Sequence, residues 1–166
     1  VAYSWPFSVL IYEVAHNFDL QGIATYSAIL WVATVLTCFI LFRGQGAGYW
    51  RALLLTLISG NIVLRVLSPR PGTFTVLFCI LLLHVLLRQR AKNYTKGIWV
   101  VPLLLWAWAA VHVQFVYGLF ILGLFCLEPV LDRFFLFGER PQPFSFRLWA
   151  VTAISFAATL LNPYGF

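Results

Sequence analysis

Apolar residues occur in this chain as long blocks separated by short polar breaks. The first stretch is the exception. Within residues 1–19, Phe7, Leu10, Ile11 and Val14 recur at the spacing of one helical face, and Ser8, Tyr12, Glu13, His16 and Asn17 take the other side. Ser4-Trp5-Pro6 reads as a helix start, because proline is tolerated in a first turn. The segment is too short and too polar to span a bilayer. The pattern predicts an amphipathic helix lying in the membrane interface.

Beyond Asp19 the runs become nearly free of charge. They predict six spans, at residues 22–42, 52–67, 73–87, 97–111, 115–131 and 148–161. Several are short for a hydrocarbon core of about 30 Å, but flanking Arg and Lys can snorkel to the headgroups. The breaks follow local chemistry. Residues 43–51 form a Gly-rich turn. Ser68-Pro69-Arg70-Pro71-Gly72 cannot continue a helix. Residues 88–96 are basic, and 132–147 form a longer polar loop rich in Pro and Phe. Between Val111 and Phe115 two apolar runs meet at His112-Val113-Gln114, with Tyr117 close behind. The expected fold class is all-α: a polytopic transmembrane helix bundle of about six spans plus an N-terminal interfacial helix, one domain over residues 1–166.

Composition agrees with this solvent. The chain is 62% hydrophobic and 10% charged, against about 25% charged in a soluble domain. Such a chain cannot cover a water-facing surface with polar groups. It contains no Met, even at the first position, and we expect it to be an internal fragment of a longer protein. Cys38, Cys79 and Cys126 lie inside apolar runs without CxxC spacing and read as apolar filler.

The net charge of +6 gains meaning from its distribution. Nine of the eleven Lys and Arg fall in alternate loops: Arg43, Arg51, Arg88, Arg90, Lys92, Lys96, Arg133, Arg140 and Arg147. The positive-inside rule assigns these loops to the cytoplasm. The interfacial helix, the Arg70 break, the His112 turn and Asn162-Pro163-Tyr164-Gly165 then face the extracytoplasmic side. The cations read as topology signals, and we expect no nucleic-acid partner, because a nucleic-acid surface gathers its cations with stacking aromatics on one soluble face.

The outer set holds the candidate chemistry. Arg65 and Arg70 are the two cations outside the basic loops. A guanidinium beside prolines suits a phosphate or carboxylate, which it binds bidentately; it could equally pair with Glu13 or Asp19 or with lipid phosphate. His112 could bind substrate, move a proton or complement the end of its helix. His84, near the basic end of the third span, reads as structural. Glu13 and His16 have a Glu-x-x-His spacing without the second copy that a bundle metal site uses. Gly44, Gly46 and Gly48 lie between two membrane helices, the wrong context for a phosphate loop. Hydrolase, Walker and zincin motifs are not in the sequence.

Three short motifs occur in an order that resembles a known group. Pro69-Arg70-Pro71-x-x-Phe74 heads the third span, Trp108-x-x-x-His112-x-x-Phe115-x-x-Gly118 forms the turn, and Leu161-Asn162-Pro163-Tyr164-Gly165 closes the sixth span. With Trp5-Pro6-Phe7 ahead of them, they resemble the GT-C-like bacterial polytopic membrane glycosyltransferases, related to the protein mannosyltransferase and aminoarabinose transferase types. The resemblance implies an inner-membrane protein that transfers a sugar from a polyprenyl-phosphate donor on the extracytoplasmic face. It implies substrate binding by Arg70, His112, Gln114, Asn162 and Tyr164. The catalytic acidic residue, and any divalent metal linked to it, would lie upstream of Val1; nothing in this chain calls for a metal. The chain departs from the group's pattern at Ser8, Ala110, Val113 and Gln114. The alternative reading is a non-enzymatic polytopic protein, a transporter or flippase component or an assembly scaffold.

Overall fold

A computed structural model describes the backbone of residues 5–66, 70–92, 94–135 and 144–161, with side chains at 6–64, 70–92, 94–132 and 144–161. Six α-helices follow one another: α1 Trp5–Gly44, α2 Tyr49–Val66, α3 Gly72–Arg90, α4 Val100–Val111, α5 Phe115–Phe135 and α6 Phe146–Leu160. A 3-10 turn, Lys96–Trp99, leads into α4. There is no strand among the described residues. The protein is an all-α bundle of membrane-spanning character. Pro6–Gly44, Gly72–Arg90 and Phe115–Asp132 are long and apolar enough to cross a membrane.

The other three helices are apolar but shorter. At 1.5 Å per residue, α2 measures about 27 Å and α6 about 22 Å. The 12 residues of α4 give only about 18 Å, and the 3-10 turn lengthens it by about 8 Å.

The expected break between the N-terminal segment and the first span is present within α1. Asp19 divides them, with φ 53° and ψ −153° inside α1. The bend is sharp enough that a Cβ on Gly22 would collide with Phe18 and stand 3.0 Å from the Val14 carbonyl oxygen. Glycine removes that obstacle, so Gly22 permits the turn that Asp19 makes.

From the bend, α1 packs along α2 and α3, and α4 packs mainly on α6. The Trp31 indole N–H donates to the Gly60 carbonyl at 3.3 Å, and a Cβ on Gly60 would lie 3.2 Å from Val35, so α1 and α2 touch closely midway. The buried core lies among α3, α4, α5 and α6: Leu82, Leu86, Ile98, Val101, Leu105, Trp108, Leu122, Cys126, Leu148 and Val151. Many outward residues are large and apolar, among them Leu36, Ile40, Leu57, Leu103 and Phe120. In water this surface would aggregate; in lipid it is the expected exterior.

Alternation of direction gives the bundle two ends. The Arg70 bend, the His112 turn and Leu161 lie at one end. The other, here the basic end, collects Arg43, the 88–96 connection and the start of α6. It is more structured than a solvated charge loop. Arg90 pairs with Glu128 of α5. Arg147 of α6 donates to the Tyr94 carbonyl at 2.6 Å, and the Tyr94 N–H donates to the Gln89 carbonyl at 2.7 Å. Tyr94 is buried at φ 56°, and Thr95 donates its hydroxyl to the Gln89 side chain at 2.7 Å. Burial, with the Glu128 carboxylate nearby, pushes the Tyr94 phenol up to about 12.

Asp19 sits in backbone space that glycine occupies freely and other residues enter at a cost of about 1–3 kcal/mol. Asp19→Gly is expected to stabilise the protein by about 1 kcal/mol, whereas Asp19→Ala gives no gain; thermal unfolding of both variants in detergent checks this. Trp108→Ala is expected to cost about 3–5 kcal/mol through the void it leaves. Trp108→Phe loses less because the ring stack survives, and denaturant titration in detergent measures the difference.

Candidate functional site at the His112 end

A run of aromatic rings assembles this end. Phe7 of the interfacial segment meets Phe74 edge-on, with centroids 6.2 Å apart. Phe74 stacks on Phe78 at 6.1 Å, and Phe78 stacks on Trp108 at 5.8 Å and 17°. Tyr26 of α1 adds a tilted contact to Phe74 at 6.3 Å. The rings cross from the interfacial segment through α3 to α4, and they hold the beginning of α3 beside the end of α4.

Trp108 is fully buried and donates its indole N–H to the Thr75 hydroxyl at 3.3 Å. A Cβ on Gly118 would stand 2.7 Å from the Trp108 ring, so only glycine lets α5 start this close to α4. The spacing Trp108-x-x-x-His112-x-x-Phe115-x-x-Gly118 thus has a steric meaning: its first and last residues interlock across the turn. Trp106 donates its own indole N–H to the Leu161 carbonyl at 3.2 Å, which fixes the end of α6 to α4.

His112 stops α4 in extended backbone, φ −156° and ψ 140°. Its N–H donates to the Trp108 carbonyl at 2.9 Å, and its carbonyl accepts from the Phe115 N–H at 3.3 Å. The Gln114 carbonyl accepts from the Tyr117 N–H at 3.0 Å, which starts α5. Across from this turn, the Arg70 carbonyl accepts the Thr73 N–H at 3.1 Å and Pro71 accepts from Phe74 at 3.2 Å, which starts α3. Gln114 Oε1 lies 3.9 Å from where a Cβ on Gly72 would stand. The Arg70 bend and the His112 turn are therefore neighbours, and α3 and α5 both point positive N-terminal dipole ends this way.

The His112 imidazole is half-buried, and its Nδ1 is buried without a hydrogen-bond partner. Burial holds its pKa below the ordinary value, and the Gln114 side chain beside it partly opposes that shift. Arg70 is exposed, and the carboxylates of Glu13 and Asp19 are not within ion-pair distance of it. The guanidinium and the Nδ1 of the imidazole can thus each take an outside partner. A phosphate or a sugar hydroxyl matches that pair of groups.

Of the residues expected from sequence, His112 and Gln114 share one turn, and Arg70 lies two residues before the Gly72 that Gln114 approaches. Asn162 and Tyr164 lie outside the described residues, although Leu161 brings the chain to this end just before them. Glu13 and His16 stay on the exposed side of the interfacial segment, where Asn17 donates to the Glu13 carboxylate at 3.3 Å and Tyr12 stacks on His16 at 5.7 Å. Among the described residues no three His, Cys, Asp or Glu gather to hold a metal ion. Sequence reasoning missed Thr75 and Trp106. Thr75 is signalled only by its place one turn below the Pro-Gly start of a span, which is too common a position to single out. Compared with family models, curated proteins and solved structures, the chain matches none.

Because the folded protein holds His112 below about 6.5, its usual pKa, the unfolded chain protonates first as pH falls. Stability is then full above about pH 6.5, declines below it and levels off under the folded value. His112→Asn is expected to remove this component. Melting temperatures of both proteins across pH 4–8 in detergent, taken as a difference, measure it.

Proposed function

We propose that the chain is the membrane part of a glycosyltransferase that moves a sugar from a polyprenyl-phosphate donor on the extracytoplasmic side. The observation that carries this reading is Gln114 standing beside the Gly72 start of α3, two residues after Arg70, with His112 Nδ1 buried and unpartnered in the same turn. An unsatisfied polar atom at membrane depth is expensive, and a ligand that supplies its partner relieves the cost.

Arg70 binds the donor phosphate through two parallel N–H donors and stabilises it as the sugar leaves. His112, neutral at physiological pH, and Gln114 hydrogen-bond the phosphate or the sugar. Asn162 and Tyr164 complete the set from the end of α6. The order of the three motifs supports the reading, because the described residues Phe74, Trp108 and Leu161, one from each motif, sit on helices joined by the ring stack and the two indole bonds.

The test uses the intact protein in proteoliposomes with a polyprenyl-phosphate hexose, and reads both donor binding and hexosyl transfer. A charge-assisted bond contributes about 1.5–3 kcal/mol, so Arg70→Ala is expected to lower transfer roughly 10–100-fold, and Arg70→Lys to recover part of it. Unchanged transfer in Arg70→Ala sinks the reading. Donor binding without any transfer by the intact protein points to a carrier of lipid-linked sugars instead.

A further inference from the structure

The basic end holds a cavity that the glycosyl-transfer reading does not use. It measures about 580 Å³ and lies between the last turns of α1 and α3. From α3, His84, Leu87, Arg88, Ala91 and Lys92 line it, at the spacing of a single helical face. From α1 come Phe39, Ile40, Arg43 and Gly44. Three cations thus converge on one space, and no carboxylate among the described residues lines it. The neighbouring Arg90 is spent on Glu128 in α5.

Two features distinguish this cavity from a solvated charge loop. His84 Nδ1 is buried without a partner, and Gly44 closes in so far that its Cβ would lie 3.3 Å from the imidazole. Below the cations the wall is apolar, through Phe39, Ile40 and Leu87. Ile40 continues an outward strip on α1 with Leu36 and Val32, which are 52%, 56% and 46% exposed. The C-terminal dipoles of α1 and α3 contribute about half a negative charge each, well short of cancelling three full positive charges.

We propose that this cavity binds the phosphate headgroup of an anionic membrane lipid, with one acyl chain lying along the Ile40–Leu36–Val32 strip. A phosphate offers the acceptor oxygens that Arg43, Arg88, Lys92 and the unpartnered His84 nitrogen require. Charge and shape together select the lipid: cations lining the cavity and an exposed apolar strip that continues from Ile40 along α1. A free phosphate shares the headgroup chemistry but leaves the strip bare. This inference is independent of the sugar-transfer reading, since the two sites occupy opposite ends of α3.

The experiment places the intact protein in nanodiscs of phosphatidylcholine and titrates spin-labelled phosphatidylglycerol, at salt that screens exposed charges beyond about 8 Å. Arg88→Gln/Lys92→Gln is expected to weaken binding about tenfold or more. The matched pair Arg51→Gln/Lys96→Gln removes the same charge from the same end without touching the cavity, and is expected to change binding less than twofold. Equal losses in the two pairs would falsify a built site, and so would equal retention of a labelled phosphatidylcholine. Competition by inorganic phosphate as effective as that by unlabelled phosphatidylglycerol overturns the assignment to a lipid. Circular dichroism and a retained melting transition confirm that each pair is folded before its affinity is compared.

Discussion

Trp108 has no contact with solvent, hands its indole N–H to Thr75 and lays its ring on Phe78. In a bilayer these contacts carry more weight than burial itself. Lipid tails are as apolar as a protein core, so removing an indole from lipid gains little, and close packing must hold helices together. The ring fills the space that Gly118 leaves open, and the hydroxyl of Thr75 satisfies a donor that lipid could not. Three helices are thereby fixed at one point. The Arg70 bend, the His112 turn and the start of α5 all lie within a turn or two of that point.

The two ends of the bundle solve opposite problems. At the His112 end the chain must hold polar groups free, and it does so by locking the helices with rings. At the basic end it must spread like charges, and it does so by spending some of them. Arg90 is neutralised by Glu128 and Arg147 is tied to the Tyr94 carbonyl, while Arg43 gives one donor to the Ala47 carbonyl at 2.8 Å and keeps its charge toward the cavity. These bonds fasten α3 to α5 and α6 to the connection before α4. Arg88 and Lys92 have no carboxylate partner and turn toward the His84 cavity.

Helix number and class were legible because spanning helices need long apolar runs and the breaks between them need Pro, Gly or charge. The break after the N-terminal helix was legible from the change of pattern at Asp19, but its geometry was not. That geometry depends on Asp19 adopting positive φ and on Gly22 yielding space to Phe18, which no spacing along the chain shows. Arg70, His112 and Gln114 could be gathered on one side by counting charges in alternate loops. The approach of Gln114 to Gly72 could not, because it comes from side-chain packing between α3 and α4 that no spacing along the chain encodes. The basic residues were read by number alone. Number gives a side of the membrane, while the division into paired and unpaired cations appears only when α3 faces both α1 and α5.

α3 connects these observations. Its 19 residues measure about 28 Å. It begins beside Gln114 and ends in the cationic cavity, with Leu82 and Leu86 fully buried between. Each end carries an imidazole nitrogen without a partner, His112 across from its start and His84 near its finish. A single orphaned nitrogen could be a packing defect tolerated for other reasons. Two of them, near opposite ends of the same helix, follow one pattern. Such atoms are costly in an apolar surrounding and cheap once a phosphate oxygen or a hydroxyl reaches them. A helix packed this rigidly along its middle keeps both termini in place before any ligand arrives, so little ordering remains to oppose binding.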